Sequence, residues 1–340
     1  MSGDTDTGSW VRSSFQAFGS HMELIARPFR SGAANVDLAS LVQAEFAACE
    51  HALSRFSPDS ELVRLNLSLT KRRPVSKRLW EALTVAVDAY HATGGVFDPR
   101  ANAAGHDLGY QGAAFDVAVG VHGLTRKECV KMWAEDQSVL LYAPIDLCGI
   151  DKSYTLERAA AILARYSNDY LLSVDGDIVY AGTGPEDAPW QFGVESPFDA
   201  NQLAAEMQVA GRGAICTSAT GKRHGLDSGA HQHPHPADPA SMTPSGGLAS
   251  VTVLADCPTK AEVLSQVIFL RGLPGRIEAG IKVLMVTVNG DVAEEGGLND
   301  VSVRIGGPLG MGLALTEWPE WQRPIVSKGQ IVGETQTAGD

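Results

Sequence analysis

Hydrophobic residues recur at the spacing of an amphipathic helix in four segments of the chain. This spacing places them on one face, which indicates helices packed against the rest of the protein. Serine, proline and aspartate follow the first segment, and glycines follow the second and the fourth, as is typical of helix ends. The predicted helices span residues 38–56, 77–91, 153–166 and 260–271.

Short apolar runs separated by glycine, aspartate and proline predict β-strands. The runs YLLSV, DIVYAG and WQFGVES follow one another closely, as in an antiparallel meander. Strands mixed with helices along the whole chain predict an α+β fold, with mixed, largely antiparallel sheets flanked by helices. The predicted strands lie at residues 139–147, 170–174, 177–182, 190–196, 249–255 and 281–290.

Composition narrows the class of protein. Of the 340 residues, 44% are hydrophobic and 20% are charged, which is typical of a globular chain with about two domains or one large one. The formal net charge of −13 disfavours nonspecific binding to a phosphate backbone. We therefore expect no nucleic-acid partner, although a pocket for a small anion depends on local donors instead.

Cysteines and apolar runs bear on the compartment. The five cysteines are widely spread and form no CxxC pair, which indicates reduced thiols. No apolar run is long enough to span a membrane, and the first residues lack the basic start and apolar core of an export signal. We expect a cytoplasmic protein with no membrane segment.

The segment IDLCGIDKSY leads from a predicted strand into a predicted helix, with a turn at residues 149–152. Free backbone N–H groups at a helix start and a neighbouring lysine, Lys152, suit a phosphate group. Asp146 and Asp151 would repel a phosphate unless a metal ion or a ribose hydroxyl takes them up. A solvated lysine at the helix start explains the same residues equally well.

The segment TGGVFDP follows the second predicted helix. Its two glycines let the backbone pass close to a ligand, Phe97 can cover a ring, and Asp98 can accept a hydrogen bond from it. The alternative is a helix end followed by a turn, with Phe97 in the core. Taken alone, the segment favours that alternative.

Three histidines alternate in the segment AHQHPHPADP, namely His231, His233 and His235. Imidazoles spaced in this way can bind zinc or copper, and one of them could act as a general base. The prolines and the lack of nearby cysteine or glutamate favour a flexible histidine-rich loop.

Glu262 and Gln266 lie four residues apart on the last predicted helix, with Ser265 beside them. They therefore share one helix face, where oxygen ligands suit a hard cation such as magnesium. Exposed side chains on a surface helix would give the same pattern.

Taken in order, these and other segments resemble the ApbE family of FAD:protein FMN transferases over residues 15–290. The resemblance implies a magnesium-dependent enzyme that binds FAD, cleaves its pyrophosphate and attaches FMN to a threonine or serine of a target flavoprotein, releasing AMP. The segments are SSFQAFGSHMEL, ALSRFSPDSELVRLN, TGGVFDP, IDLCGIDKSYTLERAA, SVDGDIVYAG, WQFGVESP, AICTSA, HPADP, LASVTVLA and KAEVLSQVIFLRG.

The resemblance also implies roles for single residues. His235 matches a functional histidine and is expected to act as general base on the target hydroxyl. The backbone carbonyl of Gly149, together with Glu262 and Gln266, matches the metal ligands. FAD contacts are implied for Phe18, Phe56, Val96, Phe97, Asp98, Asp146, Lys152 and Ser265.

Several positions depart from the family pattern. The family usually carries an aspartate and, four residues on, a threonine or aspartate as metal ligands, where this chain has Glu262 and Gln266. Glutamate is one methylene longer, and Gln266 offers a neutral amide to an ion that demands near-octahedral geometry. Phe18 stands for the usual methionine, and Ala219 for a glycine. The departures at Glu262 and Gln266 predict weakened metal binding.

We expect residues 15–318 to form one ApbE-like flavin transferase domain, between a flexible N-terminus at 1–14 and a C-terminal tail at 319–340. Two other functions remain open. One is a divergent relative that binds FAD, or hydrolyses it to FMN and AMP, without modifying a protein. The other is a metal-carrying or interaction module that works through the histidine-rich loop.

Overall fold

The computed structural model describes residues 8–29, 36–100, 129–199, 201–219, 247–273, 277–297, 301–305, 313–314 and 325–326. Serine or aspartate caps the first three helices, with a side-chain oxygen that accepts from a backbone N–H of the first turn. The helices of the described residues are α1 Leu38–Leu53, α2 Glu61–Asn66, α3 Lys77–Ala92, α4 Asp151–Leu163 and α5 Pro258–Arg271, with one 3-10 turn at Pro185–Asp187.

The largest sheet has eight strands, and each neighbouring pair is antiparallel. Its strands follow the order β1-β2-β6-β7-β10-β11-β12-β13, so the first hairpin pairs with a strand far along the chain. The bounds are β1 Val11–Ala17, β2 Ser20–Pro28, β6 Ser167–Val174, β7 Asp177–Gly182, β10 Gly211–Ala219, β11 Leu248–Ala255, β12 Lys282–Thr287 and β13 Val292–Gly296.

Two smaller sheets complete the described strands. One joins β14, β9, β8 and β16 in that order, with β15 also on β9, and the other joins β3, β5 and β4. Among the described strands, β8 and β16 form the parallel pair. The bounds are β3 Arg73–Pro74, β4 Val130–Trp133, β5 Ser138–Leu141, β8 Trp190–Glu195, β9 Gln202–Val209, β14 Val301–Ile305, β15 Leu313–Ala314 and β16 Ile325–Val326.

The large sheet is covered on both faces, because successive side chains of a strand point to opposite sides. On β6, Tyr170 and Leu172 join a core cluster with helices α1 to α4. Leu171 between them joins a second cluster with Trp190 and Phe192 of the five-stranded sheet. Helix α5 packs with β10, β11 and β12 in a third cluster. The predicted α+β class, with largely antiparallel sheets flanked by helices, is confirmed.

Several predicted elements differ in their bounds. The strand predicted at 139–147 ends at Leu141, and a segment without regular structure leads from there to α4. Strands β6 and β7 pair as the meander predicted, but β8 belongs to another sheet. The predicted domain start at residue 15 falls inside β1, so the sheet takes in residues that the prediction gave to a flexible terminus. Among the described helices, none has the length and apolar character needed to cross a membrane.

Candidate functional site

The segment before α4 is held by buried polar contacts. The Asn66 side chain forms two hydrogen bonds with the Ile145 backbone. Its amide NH₂ donates to the Ile145 carbonyl at 2.8 Å, and its oxygen accepts from the Ile145 N–H at 3.1 Å. The next N–H, that of Asp146, donates to the Pro99 carbonyl at 2.7 Å. The segment is therefore fixed against the end of α2 and against the TGGVFDP segment.

Asp146 forms a buried ion pair with Arg55. Arg55 Nη1 lies 2.6 Å from Asp146 Oδ2, and the two side chains are 5% and 2% exposed. The Cys148 N–H donates to the other carboxylate oxygen at 2.9 Å. Burial raises the pKa of Asp146, while the Arg55 charge and the Cys148 N–H oppose that shift. Both oxygens of Asp146 are thus engaged in fixing the turn.

Lys152 is the second residue of α4 and not, as predicted, part of the turn before it. Its side chain is 8% exposed, and Nζ lies 2.6 Å from Oδ2 of Asp175, in the turn between β6 and β7. The Ser20 hydroxyl donates to the same oxygen. The alternative of a solvated lysine is therefore wrong. A phosphate group that binds Lys152 therefore has to share the ammonium with the Asp175 carboxylate or displace that carboxylate.

Of the backbone N–H groups in residues 149–152, those of Ile150, Asp151 and Lys152 donate within the chain, which contradicts the prediction that these three are free donors. The N–H groups of Ile150 and Asp151 both donate to the Leu147 carbonyl at 2.8 Å. The Lys152 N–H donates to Asp151 Oδ1 at 2.7 Å. The Asp151 carboxylate therefore lies in the first turn of α4, where its negative charge would repel an anion.

The TGGVFDP segment lies directly against this turn. Phe97 is buried, and its N–H donates to the Thr93 hydroxyl at 3.0 Å. A Cβ atom on Gly149 would lie 3.0 Å from the Phe97 ring, so the ring packs closely against the Gly149 backbone and a larger residue there would push it aside. Phe97 thus lies in the core, as the helix-end alternative predicted, and it also lies beside Gly149.

The neighbours of Phe97 take separate roles. Asp98 binds Arg100 with both oxygens, at 2.8 Å from Nε and 2.6 Å from Nη2. Its carboxylate is therefore already paired. Val96 packs against the hydrophobic cluster beneath α5.

Helix α5 turns its polar face toward Gly149. The Gln266 amide nitrogen lies 2.7 Å from the Gly149 carbonyl oxygen and 2.6 Å from Glu262 Oε1. Ser265 is fully buried, with its hydroxyl 2.8 Å from that of Ser218 on β10. The alternative of exposed Glu262 and Gln266 side chains is therefore wrong for Gln266, which is buried, while Glu262 is half-buried.

Glu262 also belongs to a second group of side chains whose atoms could bind a metal ion. Its carboxylate, the Asp177 carboxylate and the Cys216 sulfur lie within 4.8 Å of one another. Burial raises the pKa of the Cys216 thiol well above its usual range, and the two carboxylates add to that shift. The Asp-Gly pair before Asp177 predicts a hairpin turn, but no sequence signal brings these three residues together.

Phe18 and Phe56 lie at the edge of this arrangement. Phe18 is buried in the β1–β2 turn, where its N–H donates to Glu50 Oε1 at 2.9 Å. The Phe56 ring is 38% exposed and stacks on the Arg55 guanidinium, 4.5 Å from the ring centroid. Phe56 is thus an exposed aromatic ring connected through Arg55 to Asp146.

The structure therefore brings most of the predicted site residues to one segment, residues 145–152, which includes the start of α4. Phe56 reaches it through Arg55, and Phe18 reaches it through Ser20 and Asp175. Phe97 and the polar face of α5 meet it at Gly149. His235, together with His231 and His233, lies outside the described residues.

The resemblance implies that a magnesium ion binds between the Gly149 carbonyl and Glu262. The atoms around that position therefore decide whether these residues can hold the ion. Magnesium needs oxygen ligands at about 2.0–2.1 Å in an octahedral arrangement. Here the Gln266 amide presents its nitrogen to both oxygens, at 2.7 and 2.6 Å. A nitrogen that carries two hydrogens is no ligand for a cation. The residues as arranged do not fit magnesium at this point.

Known proteins resemble this chain in sequence and in fold. A model of the ApbE family matches residues 18–285. A FAD:protein FMN transferase of Haemophilus influenzae is 25% identical over 247 residues, which are 68% of this chain and 71% of the relative. The ApbE protein of Thermotoga maritima superposes with a TM-score of 0.70 at 20% identity, over 84% of this chain and 97% of its own.

The flavin transferase ApbE of Vibrio cholerae superposes with a TM-score of 0.68, also at 20% identity. The match covers 84% of this chain and 96% of the Vibrio chain. The fold of the chain is thus that of these solved structures.

Proposed function

Because the chain belongs to the ApbE family, we propose that it is an FAD:protein FMN transferase, an enzyme that moves FMN from FAD to a threonine or serine hydroxyl of a target flavoprotein. The relative from Haemophilus influenzae carries that name. The observation that carries the proposal is the meeting of three predicted segments at Gly149, which receives Gln266 on its carbonyl and Phe97 beside its α-carbon.

The proposed reaction is a displacement at phosphorus. The target hydroxyl oxygen forms a bond to the phosphorus of the FMN half, and the bond from that phosphorus to the bridging oxygen breaks. AMP leaves with that oxygen, and the hydroxyl proton passes to a base. His235 is the proposed base, since histidine titrates near neutral pH.

Lys152 is the proposed phosphate ligand. Its ammonium is buried beside Asp175, so its charge acts in a medium of low dielectric constant. A phosphate that replaces Asp175 would gain a strong, charge-assisted hydrogen bond. Phe56, whose exposed ring stacks on the Arg55 guanidinium, is the proposed contact for a flavin or adenine ring.

The test follows FAD and the purified chain directly. Calorimetry measures FAD binding, and chromatography measures AMP release in the presence of a purified apo-flavoprotein with an exposed threonine. Flavin that stays on the target after denaturation, with one AMP released per flavin attached, is the expected result. Absence of any heat of association with FAD would overturn the proposal.

A second candidate is an FAD-binding or FAD-hydrolysing relative, and the Gln266 contacts favour it. The family's metal position is closed by an amide in this chain, so charge neutralisation at the diphosphate is reduced. Under this function the same experiment gives free FMN and AMP, or bound FAD without products. Neither reaction, as proposed for this chain, uses the magnesium ion that the resemblance implies.

A further inference from the structure

We propose that the Gln266 side chain replaces the divalent cation in this chain, joining Gly149 to Glu262 by two hydrogen bonds. The contact among these three residues does not depend on the transfer reaction. It can therefore be tested in the purified protein without FAD.

The hydrogen bonds account for both protons of the amide. Gln266 Nε2 lies 2.7 Å from the Gly149 carbonyl oxygen and 2.6 Å from Glu262 Oε1. Both neighbours are acceptors, and neither carries a proton of its own when Glu262 is ionised. An amide between two acceptors is stable only with its NH₂ group turned toward them. Its carbonyl oxygen in that place would meet two other oxygens.

The Gln266 amide is also closely packed on its Gly149 side. Gln266 is buried, and Oε1 and Nε2 lie only 3.0 and 3.2 Å from the position that a Cβ of Gly149 would take. The Phe97 ring borders the same position at 3.0 Å. Turning the amide oxygen toward a cation would break both hydrogen bonds. In this packed space the Gly149 and Glu262 oxygens would then lose a donor, which costs free energy.

The Gln266 amide also meets part of the negative charge of Glu262, whose carboxylate lies within 4.8 Å of the Asp177 carboxylate and the Cys216 sulfur. The Gln266 amide donates to the Glu262 carboxylate directly. A neutral donor thus supplies part of what a cation supplies in a site with two acidic ligands.

The first test is a manganese titration of the parent protein, since bound and free Mn²⁺ differ in their electron paramagnetic resonance signals. We expect no stoichiometric binding, and an unfolding temperature that is the same in EDTA and in magnesium. Stoichiometric Mn²⁺ binding that Glu262→Gln abolishes would overturn the proposal. This test needs no variant to fold unless binding is found.

The second test restores a ligand. Gln266→Glu keeps the shape of the side chain but replaces the donor by a carboxylate, so the position should then require a cation. We expect Mn²⁺ binding that is roughly tenfold to hundredfold tighter, the range that changes around a metal site produce. The unfolding temperature should fall in EDTA and recover with magnesium.

Gln208→Glu is the matched control, because Gln208 is exposed on β9 and the substitution adds the same charge. Its Mn²⁺ binding and its response to EDTA should equal those of the parent. A folded Gln266→Glu protein that binds Mn²⁺ no more tightly than this control would show that Gln266 is not what excludes the cation, and would overturn the proposal.

Discussion

At the scale of single residues, the site is built from charges that are already paired. Lys152 is bound to Asp175, Asp146 to Arg55, and Asp98 to Arg100. The sequence motifs located one member of each pair, but the partners of Lys152 and Asp146 lie 23 and 91 residues away. Motif spacing could not supply these contacts, because they depend on how distant segments pack.

The pair of Lys152 and Asp175 predicts the effect of a substitution on FAD affinity. Asp175→Asn removes the competing charge, and asparagine tolerates the positive φ of 48° at this position. The buried ammonium is then left for a phosphate, so we expect FAD to bind about tenfold more tightly in calorimetry, about 1.4 kcal/mol.

The control is the double variant with Lys152→Ala. If the gain comes from the released lysine, Asp175→Asn should have no effect on FAD affinity in the Lys152→Ala background. An equal gain in both backgrounds would mean that Asp175 repels FAD without acting through Lys152.

The buried pair of Arg55 and Asp146 predicts a large loss of stability. Arg55→Leu leaves the Asp146 carboxylate buried without its cation, which costs about 3–5 kcal/mol in the free energy of unfolding. Lys77→Met breaks the exposed pair with Glu81, at 3.6 Å, and should cost less than about 0.5 kcal/mol. Urea denaturation of the two variants measures the difference, and similar losses would contradict it.

At the scale of elements, hydrophobic periodicity located the four long helices and six strands, but it missed other buried strands such as β2, β9 and β10. It missed α2, which has only six residues and is too short to show a helical period. It also missed β1, whose side chains are mostly exposed or half-buried, so that no apolar run marks it. The strand predicted through residue 147 was wrong because the apolar residues Ile145 and Leu147 are buried in an irregular segment held by Asn66.

Glu45 ties three helices together and predicts a dependence on pH. It lies on α1 and accepts from Arg78 of α3 at 2.7 Å and from Arg158 of α4 at 2.5 Å. Burial raises the pKa of Glu45, but the two arginines outweigh burial and lower it below its usual value of 4.5. A lowered pKa stabilises the fold above 4.5, and that contribution is lost as the pH falls through the folded-state pKa.

We therefore expect Glu45→Gln to lower the free energy of unfolding by about 1–2 kcal/mol at neutral pH, since both arginines are partly exposed. The difference from the parent should shrink as the pH falls below 4.5. Urea denaturation at several pH values measures this, and a constant difference across the range would contradict it.

At the scale of the whole molecule, the large sheet separates two cores. Helices and the candidate site lie on one face, and the five-stranded sheet lies on the other. Composition and periodicity predicted the class of fold, and the order of motifs predicted the family. Neither could give the strand order, because pairing between distant strands depends on the tertiary structure.

This separation predicts that stability and FAD binding can be changed independently. Phe192→Leu, between the two sheets, and Phe97→Leu, beside Gly149, should each lower the free energy of unfolding by about 1–2 kcal/mol. Only Phe97→Leu should weaken FAD binding in calorimetry. Equal effects of both variants on FAD affinity would show that the two faces are coupled.

The place of the first hairpin in the large sheet has a consequence for synthesis on the ribosome. Strand β2 ends at Pro28, but its partner β6 ends at Val174, so about 146 residues must be translated before the two can pair. At roughly 5–20 residues per second this takes about 7–30 s. During that time the nascent hairpin has no neighbour for its inner edge. We expect proteases to cut it in stalled chains that end before residue 167, and to spare it once β6 has emerged.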